Sequence, residues 1–284
     1  MKKSVVSEIW YKVAQSGSRM NMFIGINTAV FVIVGFISVA EWLFTRNTAT
    51  ANLIKEYISV PAYLPELLYK FWTPLTYMFG HEGVFHFIFN MLWLYWFGRI
   101  FEDFLTARQL TFTYISGGLM GALLFIAFYN IFPAFSDSVA TASLIGASAS
   151  VMAIVVATAT LLPDYSIRLL LFGDVKLKFL VIAFIVLDII GIAGLNAGGM
   201  IAHLGGALMG FIFIKQLQSG NDWSKIFAKK KKLKVATTNY NHKVPAGLPD
   251  QEVIDNILDK ISRSGYDSLS RKEKEELFKA SNKE

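Results

Sequence analysis

The sequence predicts an all-α membrane protein: a bundle of six transmembrane helices with a long first external loop and a short cytoplasmic helical tail. Two observations carry this expectation. Of 284 residues, 54% are hydrophobic and 17% charged, and the mean hydropathy is +0.46, more apolar than an ordinary soluble domain. Six windows without Lys or Arg also approach the roughly 20 apolar residues that a bilayer core of about 30 Å requires. They fall at 22–40, 84–98, 110–132, 143–162, 179–196 and 198–214, the fifth interrupted by Asp188. The second is short but extends through mixed flanks, and almost nothing separates the last two. This pattern excludes a soluble enzyme, a fibre and a disordered chain. With no cysteine in the chain, disulfides, thiolate catalysis and Cys-ligated metals are excluded as well. The polar start, 1–18, has no short apolar stretch before a small-residue cleavage site, so no cleaved signal peptide is expected.

Charge sets the expected topology. The net charge is +6, but more than half of the basic residues follow Ile214, where they flank the last span; this reads as orientation and not as nucleic-acid binding. Lys2, Lys3, Lys12 and Arg19 precede the first span. Arg99, Arg108, Arg168, Lys176 and Lys178 occupy the second and fourth connections, and the third and fifth carry no basic residue. The positive-inside rule therefore puts both termini in the cytoplasm. The first connection, 41–82, is external despite Arg46, Lys55 and Lys70, and loops of its length usually have structure or work of their own. In the tail, the basic run at 229–234 fixes orientation on anionic lipid. After a Pro and Gly linker at 245–249, Ile254, Ile257, Leu258 and Ile261 recur at helical spacing, and Ser270 with Glu273 forms a capping box, so a small helical hairpin is expected.

Polar groups in hydrocarbon are costly and face a bundle interior or a wet cavity. His81, His86, Asn90, Ser148, Asp188 and His203 are the ones to place. At 1.5 Å per residue, His86 lies about 5 Å below the outer end of its window, Ser148 and His203 about 8 Å, and Asn90 about 10 Å. Four residues from three helices thus share one layer near the outer face. His86 and Asn90, four apart, share a helix face. Ser148 sits in Gly146-Ala147-Ser148-Ala149, small residues expected on a helix's first turn, where free N–H groups and the dipole favour an anion. His203 precedes Gly206 and Gly210, whose spacing lets two helix backbones approach closely. Taken singly, such a Ser is usually bonded to the preceding turn and such a His or Asn is interhelical glue; the coincidence of depth and chemistry argues for catalysis. Asp188 reads as midway along its span and off this layer. A Ser–His dyad is therefore favoured over a triad, with Asp188 a polar contact between helices or, second, a proton-relay group.

These residues resemble the rhomboid family of intramembrane serine proteases, in a single register from Asn21 to about Leu217. That family has a six-helix core and a His and Asn four apart on the second helix. Gly-x-Ser-Gly opens its fourth helix, and Ala-His-x-x-Gly lies on the sixth. His81, His86 and Asn90 fit the second-helix pattern, Gly146 and Ser148 the nucleophile motif, and Ala202, His203 and Gly206 the base motif. The resemblance implies that Ser148 is the nucleophile, that His203 is the base, and that His86 and Asn90 bind the oxyanion beside Gly146. Three departures bear on fine geometry and rate. Ala149 stands where the family usually has Gly, Trp72-Thr73 where it often has Trp-Arg, and Met152 where a Tyr commonly packs on the catalytic imidazole. Met152 can support the ring through a sulfur contact.

The expected organisation is a cytoplasmic segment 1–20, a catalytic domain 21–217, a basic juxtamembrane linker 218–249 and a helical tail 250–284 without assigned function. The expected setting is a bacterial cytoplasmic membrane. The implied substrate is a transmembrane protein whose helix unwinds near its outer end, with lipid the other partner and nucleic acid none; the oligomeric state is left open. No metal or organic cofactor is implied, because no ligand cluster has metal spacing. Two other classes remain: a catalytically silent relative that binds membrane helices as a chaperone or adaptor, and a proton-coupled transporter through His86, Asp188 and His203. Intact Ser148 and His203 argue against the first, and the lack of an internal repeat against the second.

Overall fold

The computed structural model describes residues 4–169, 173–194, 196–227 and 251–281. Two compact units divide the chain, Met1–Lys229 and Lys230–Glu284. Lys2, Lys3, the basic run at 229–234 and the linker at 245–249 lie outside the described residues.

In the first unit, six helices fall on the six apolar windows: α1 (Arg19–Thr45), α2 (Val84–Phe104), α3 (Ala107–Ile131), α4 (Ser148–Leu161), α5 (Leu177–Gly191) and α6 (Ala197–Gln218). Among the described residues, α1, α2, α3 and α6 are long and apolar enough to cross a membrane. The other two have 14 and 15 residues, which at 1.5 Å per residue is about 21 and 23 Å, short of a core of about 30 Å.

Three of the helix starts have a local cause in a capping side chain. Glu102, near the end of α2, caps the start of α1: its carboxylate accepts from the N–H groups of Arg19 (2.7 Å) and Met20 (3.1 Å) and from the Ser18 hydroxyl (2.7 Å). First-turn donors have no intrahelical acceptor, and the dipole favours an anion there. α3 opens with a reciprocal capping box between Thr106 and Gln109, and Asn196 caps α6 by accepting from the Gly199 N–H at 3.2 Å.

The core lies where α6 packs on α4 and α3. A Cβ built on Gly206 would overlap the carbonyl oxygen of Ala149, and one on Gly210 the carbonyl oxygen of Ala153, so this contact is backbone against backbone, as small-residue spacing allows. By contrast, α1 is peripheral. It is tied in by Phe23, stacked on Tyr114 at 4.0 Å, and by Asn27, which donates to the Tyr114 hydroxyl at 3.0 Å; much of its remaining surface is apolar and exposed, as at Phe36 and Phe44.

The first connection has structure of its own: helices at Ala49–Ile58, Leu64–Tyr69 and Thr73–Thr76, a 3-10 turn at Tyr77–Phe79, and strand β1 (Val60–Pro61). Trp72 donates its indole N–H to the Tyr57 carbonyl at 3.0 Å, and the neighbouring Thr73 is buried and bonded to the Lys70 carbonyl. β1 pairs antiparallel with β2 (Ser143–Leu144), and the buried hydroxyls of Tyr77 and Tyr114 donate to Gly118 O (2.6 Å) and Met78 O (2.9 Å). This pairing changes the fourth window: its first residues are strand and turn, and the helix begins only at Ser148.

Between α4 and α5, strands β3 (Ser166–Leu169) and β4 (Gly173–Lys176) form an antiparallel pair. Asp164 before it pairs with Lys178 (2.7 Å) and Lys176 (3.0 Å), and these ammonium groups hold its carboxyl below the usual range.

The second unit has α7 (Gln251–Ser264) and α8 (Arg271–Ser281), with Ile257 and Leu269 buried. The Ser270 and Glu273 capping bonds form at 2.7 and 3.3 Å, and Lys260 of α7 bridges to Glu273 at 2.9 Å.

Candidate active site

A cavity of about 610 Å³ opens among α2, α4, α5 and α6. Its polar lining includes His86, Asn90, Ser148, Asp188 and His203, and Met152 lines it one turn after Ser148. Trp93 of α2 and Phe184 of α5 meet edge to face at 4.9 Å on its apolar side.

Ser148 is the first residue of α4, so its own N–H belongs to the first-turn groups that have no intrahelical acceptor. Gly146 makes the turn that brings it there. Its φ of 146° lies in a region L side chains rarely adopt, its N–H donates to Tyr77 O at 3.0 Å, and a Cβ on it would stand 2.8 Å from His86 Cε1 and 3.1 Å from His86 Nε2. That point is also 3.6 Å from Ser148 Oγ, so His86 and Ser148 flank the same small space. Ser150, the next serine, is fully buried against Met78 Sδ at 3.8 Å and does not reach the cavity, which distinguishes the two hydroxyls.

On α2, Asn90 donates from Nδ2 to the His86 carbonyl at 2.8 Å, which leaves it a second N–H. His81 stands behind this layer, outside the cavity. It is buried, lies edge to face with His86 at 5.4 Å, and has no hydrogen-bond partner on either ring nitrogen among the described residues. Burial first, and then the neighbouring His86, push this imidazole, which precedes α2, down to about 4. Gly206 contributes through the α4–α6 contact and not as lining.

His203 lies six residues into α6, about 9 Å along its axis. Its Nδ1 is 2.9 Å from Asp188 Oδ1. This corrects the sequence expectation that no carboxylate shares the layer. The fifth window runs to residue 196, but α5 ends at Gly191, and the chain turns at 192–194, ahead of the Asn196 cap of α6. Asp188 is therefore three residues from the end of its helix and level with the imidazole, not midway along the span. The glycines at 191 and 194 and the capping Asn196 are stop and start signals that an apolar window overlooks. Asp188 is buried, and its Oδ2 has no partner among the described residues. No hydrogen bond joins Ser148 Oγ to His203 among the described residues; resting hydrolase sites often tighten this bond only on binding substrate.

A multi-pass helical membrane protein with a polar cavity enclosed by four of its helices is the class this fold and site define. The rhomboid domain model matches residues 69–218, more than half of the chain, and the chain belongs to the rhomboid family. A Danio rerio protein named presenilin-associated rhomboid-like protein A, mitochondrial, is 26% identical over 217 residues, which cover 74% of this chain and 51% of that relative. The chain thus spans about half the length of the curated relative it matches. Residues 248–283 match a second family model, DUF6576, a family of unknown function.

Proposed function

We propose that this protein is an intramembrane serine endopeptidase that cleaves a transmembrane segment of membrane-protein substrates. The carrying observation is that Ser148 and His203, from different helices, line one cavity together with His86 and Asn90. In this reading Ser148 Oγ attacks the scissile carbonyl and forms the C–O bond while His203 Nε2 takes its proton. The carbonyl electron pair moves to oxygen, where the Ser148 N–H, the free N–H of Asn90 and the His86 imidazole receive it. Removing one such donor typically costs about 2.7–4 kcal/mol. The imidazolium then gives its proton to the leaving amine, the C–N bond breaks, and water resolves the acyl-enzyme. Met152, Gly206 and His81 support this site through the cavity wall, the α4–α6 contact and the packing behind His86.

The proposal extends to topology: six spans with the short α4 and α5 among them, an external first connection, and both termini in the cytoplasm, supported by the distribution of basic residues. The proposed units are 1–20, 21–217, 218–249 and 250–284. A bacterial cytoplasmic membrane is the proposed setting; the relative above is named as a mitochondrial protein. A substrate helix must open its backbone to be attacked, and the aromatic contact of Trp93 with Phe184 is the side on which we propose it enters. Reconstituted with a model transmembrane substrate, the wild type should cleave near the outer end of the helix and Ser148→Ala should not. Retained turnover would remove Ser148 as nucleophile, whereas helix binding without cleavage by the wild type would favour the silent reading.

A further inference from the structure

We infer that Asp188 is a positioning residue that makes the site a Ser148–His203–Asp188 arrangement and not a dyad. The inference rests on the protease reading for its kinetic part and on geometry alone for its structural part. A buried carboxylate on a membrane helix is expensive, and an aliphatic residue would fill the same place at less cost. Asp188 makes one hydrogen bond among the described residues, to His203, and leaves Oδ2 unsatisfied. The other titratable groups around the cavity are His86 on α2 and Glu82 just before it; α4 contributes none.

The acceptor sits on Nδ1, so the proton of the neutral ring belongs on Nδ1 and Nε2 is left as the base. When Nε2 takes the Ser148 proton, the Nδ1–H bond to the Asp188 carboxylate persists. The positive charge of the imidazolium then forms next to a fixed negative one, and Asp188 itself neither gains nor loses a proton. The carboxylate, bonded to Nδ1, also helps to set the ring plane.

The test uses the full chain in detergent or nanodiscs with 15N-labelled histidine, and substrate turnover for wild type, Asp188→Asn and Asp188→Ala. The chain has four histidines, and His203→Gln assigns the resonance. In the wild type the neutral His203 should be the Nδ1–H tautomer. Asp188→Asn keeps the shape and a hydrogen-bonding group, so an interhelical tie should survive it. The inference expects melting unchanged, KM little altered and kcat lower by on the order of 10⁴-fold, with the tautomer shifted or mixed. Asp188→Asn with kcat within threefold of wild type and the same tautomer would overturn it, and so would an Nε2–H tautomer in the wild type, a result that needs no stable variant. If the wild type turns over nothing and resists active-site labelling, the protease reading fails, and the tautomer still decides whether Asp188 fixes the ring.

Discussion

The contact of α6 with α4 carries the site, and Gly206→Ala perturbs it most directly. A methyl group there would fall within the carbonyl oxygen of Ala149, the residue after Ser148, and both partners are backbone, so no side chain can rotate away. The helices must part by roughly 1 Å to restore ordinary contact, an overpacking that costs about 1–3 kcal/mol. Against this, Ala is the better helix former by about 1 kcal/mol. The net expectation is a loss of up to about 2 kcal/mol in stability. The separation moves His203 relative to Ser148 by a similar distance, and a misplacement of about 1 Å can cost 10²-fold in rate. Gly35→Ala in α1 is the control, because a Cβ there meets nothing within 4 Å; it should leave turnover unchanged and stability equal or higher. The assay is cleavage of a model transmembrane substrate alongside a thermal melt in the same detergent. A Gly206→Ala protein with wild-type kcat and melting temperature would refute the reasoning, because the close approach would then not be what holds the two groups in place.

Further expectations concern the other supports. Gly146→Ala forces an L side chain into a strained φ and against His86, which should cost about 1–3 kcal/mol of stability, with a larger proportional loss of turnover; equal activity would remove Gly146 from the site. Glu102→Gln removes the charge that caps α1 through the Arg19 and Met20 N–H groups and should lower stability by about 0.5–2 kcal/mol in a denaturation series, leaving kcat alone. In the tail, the Lys260 ammonium and then the Ser270 N–H hold the half-buried Glu273 carboxyl down to about 2 from its ordinary value of 4.5. A depressed carboxylate stabilises above its unfolded value and loses that effect as pH falls through the folded one, so amide protection at Ser270 should be constant above about pH 5 and decline toward pH 2. Glu273→Gln should show the lower protection at neutral pH, and a profile identical to the wild type would contradict the cap.

The apolar windows and the polar layer were legible because hydrophobic length and helical spacing are local properties. His86, Asn90, Ser148 and His203 could be brought to one cavity by counting residues from the ends of their helices. What counting could not give was where helices really begin and end. Ser143 and Leu144 are as apolar-compatible as the helix that follows, but the strand at Val60–Pro61 claims their backbone, a pairing between residues about 80 apart that no window sees. The same limit misplaces Asp188: the apolar window runs on through the turn after Gly191, which puts the carboxylate midway along the span and off the layer of His203. Here the signal was present in Gly191, Gly194 and Asn196 and needed only the rules of helix ends. Ser150 illustrates the converse, because two serines two apart on one helix are separated only by which of them faces Met78.

The reactivity of the Ser148 hydroxyl is the claim on which the rest depends, and a fluorophosphonate probe with mass-spectrometric mapping of the adduct measures it directly. The labelled peptide should carry the phosphonyl group on Ser148 in the wild type, with labelling lost in Ser148→Ala and strongly reduced in His203→Ala. An adduct on Ser150 or elsewhere, or equal labelling with and without His203, would contradict the account.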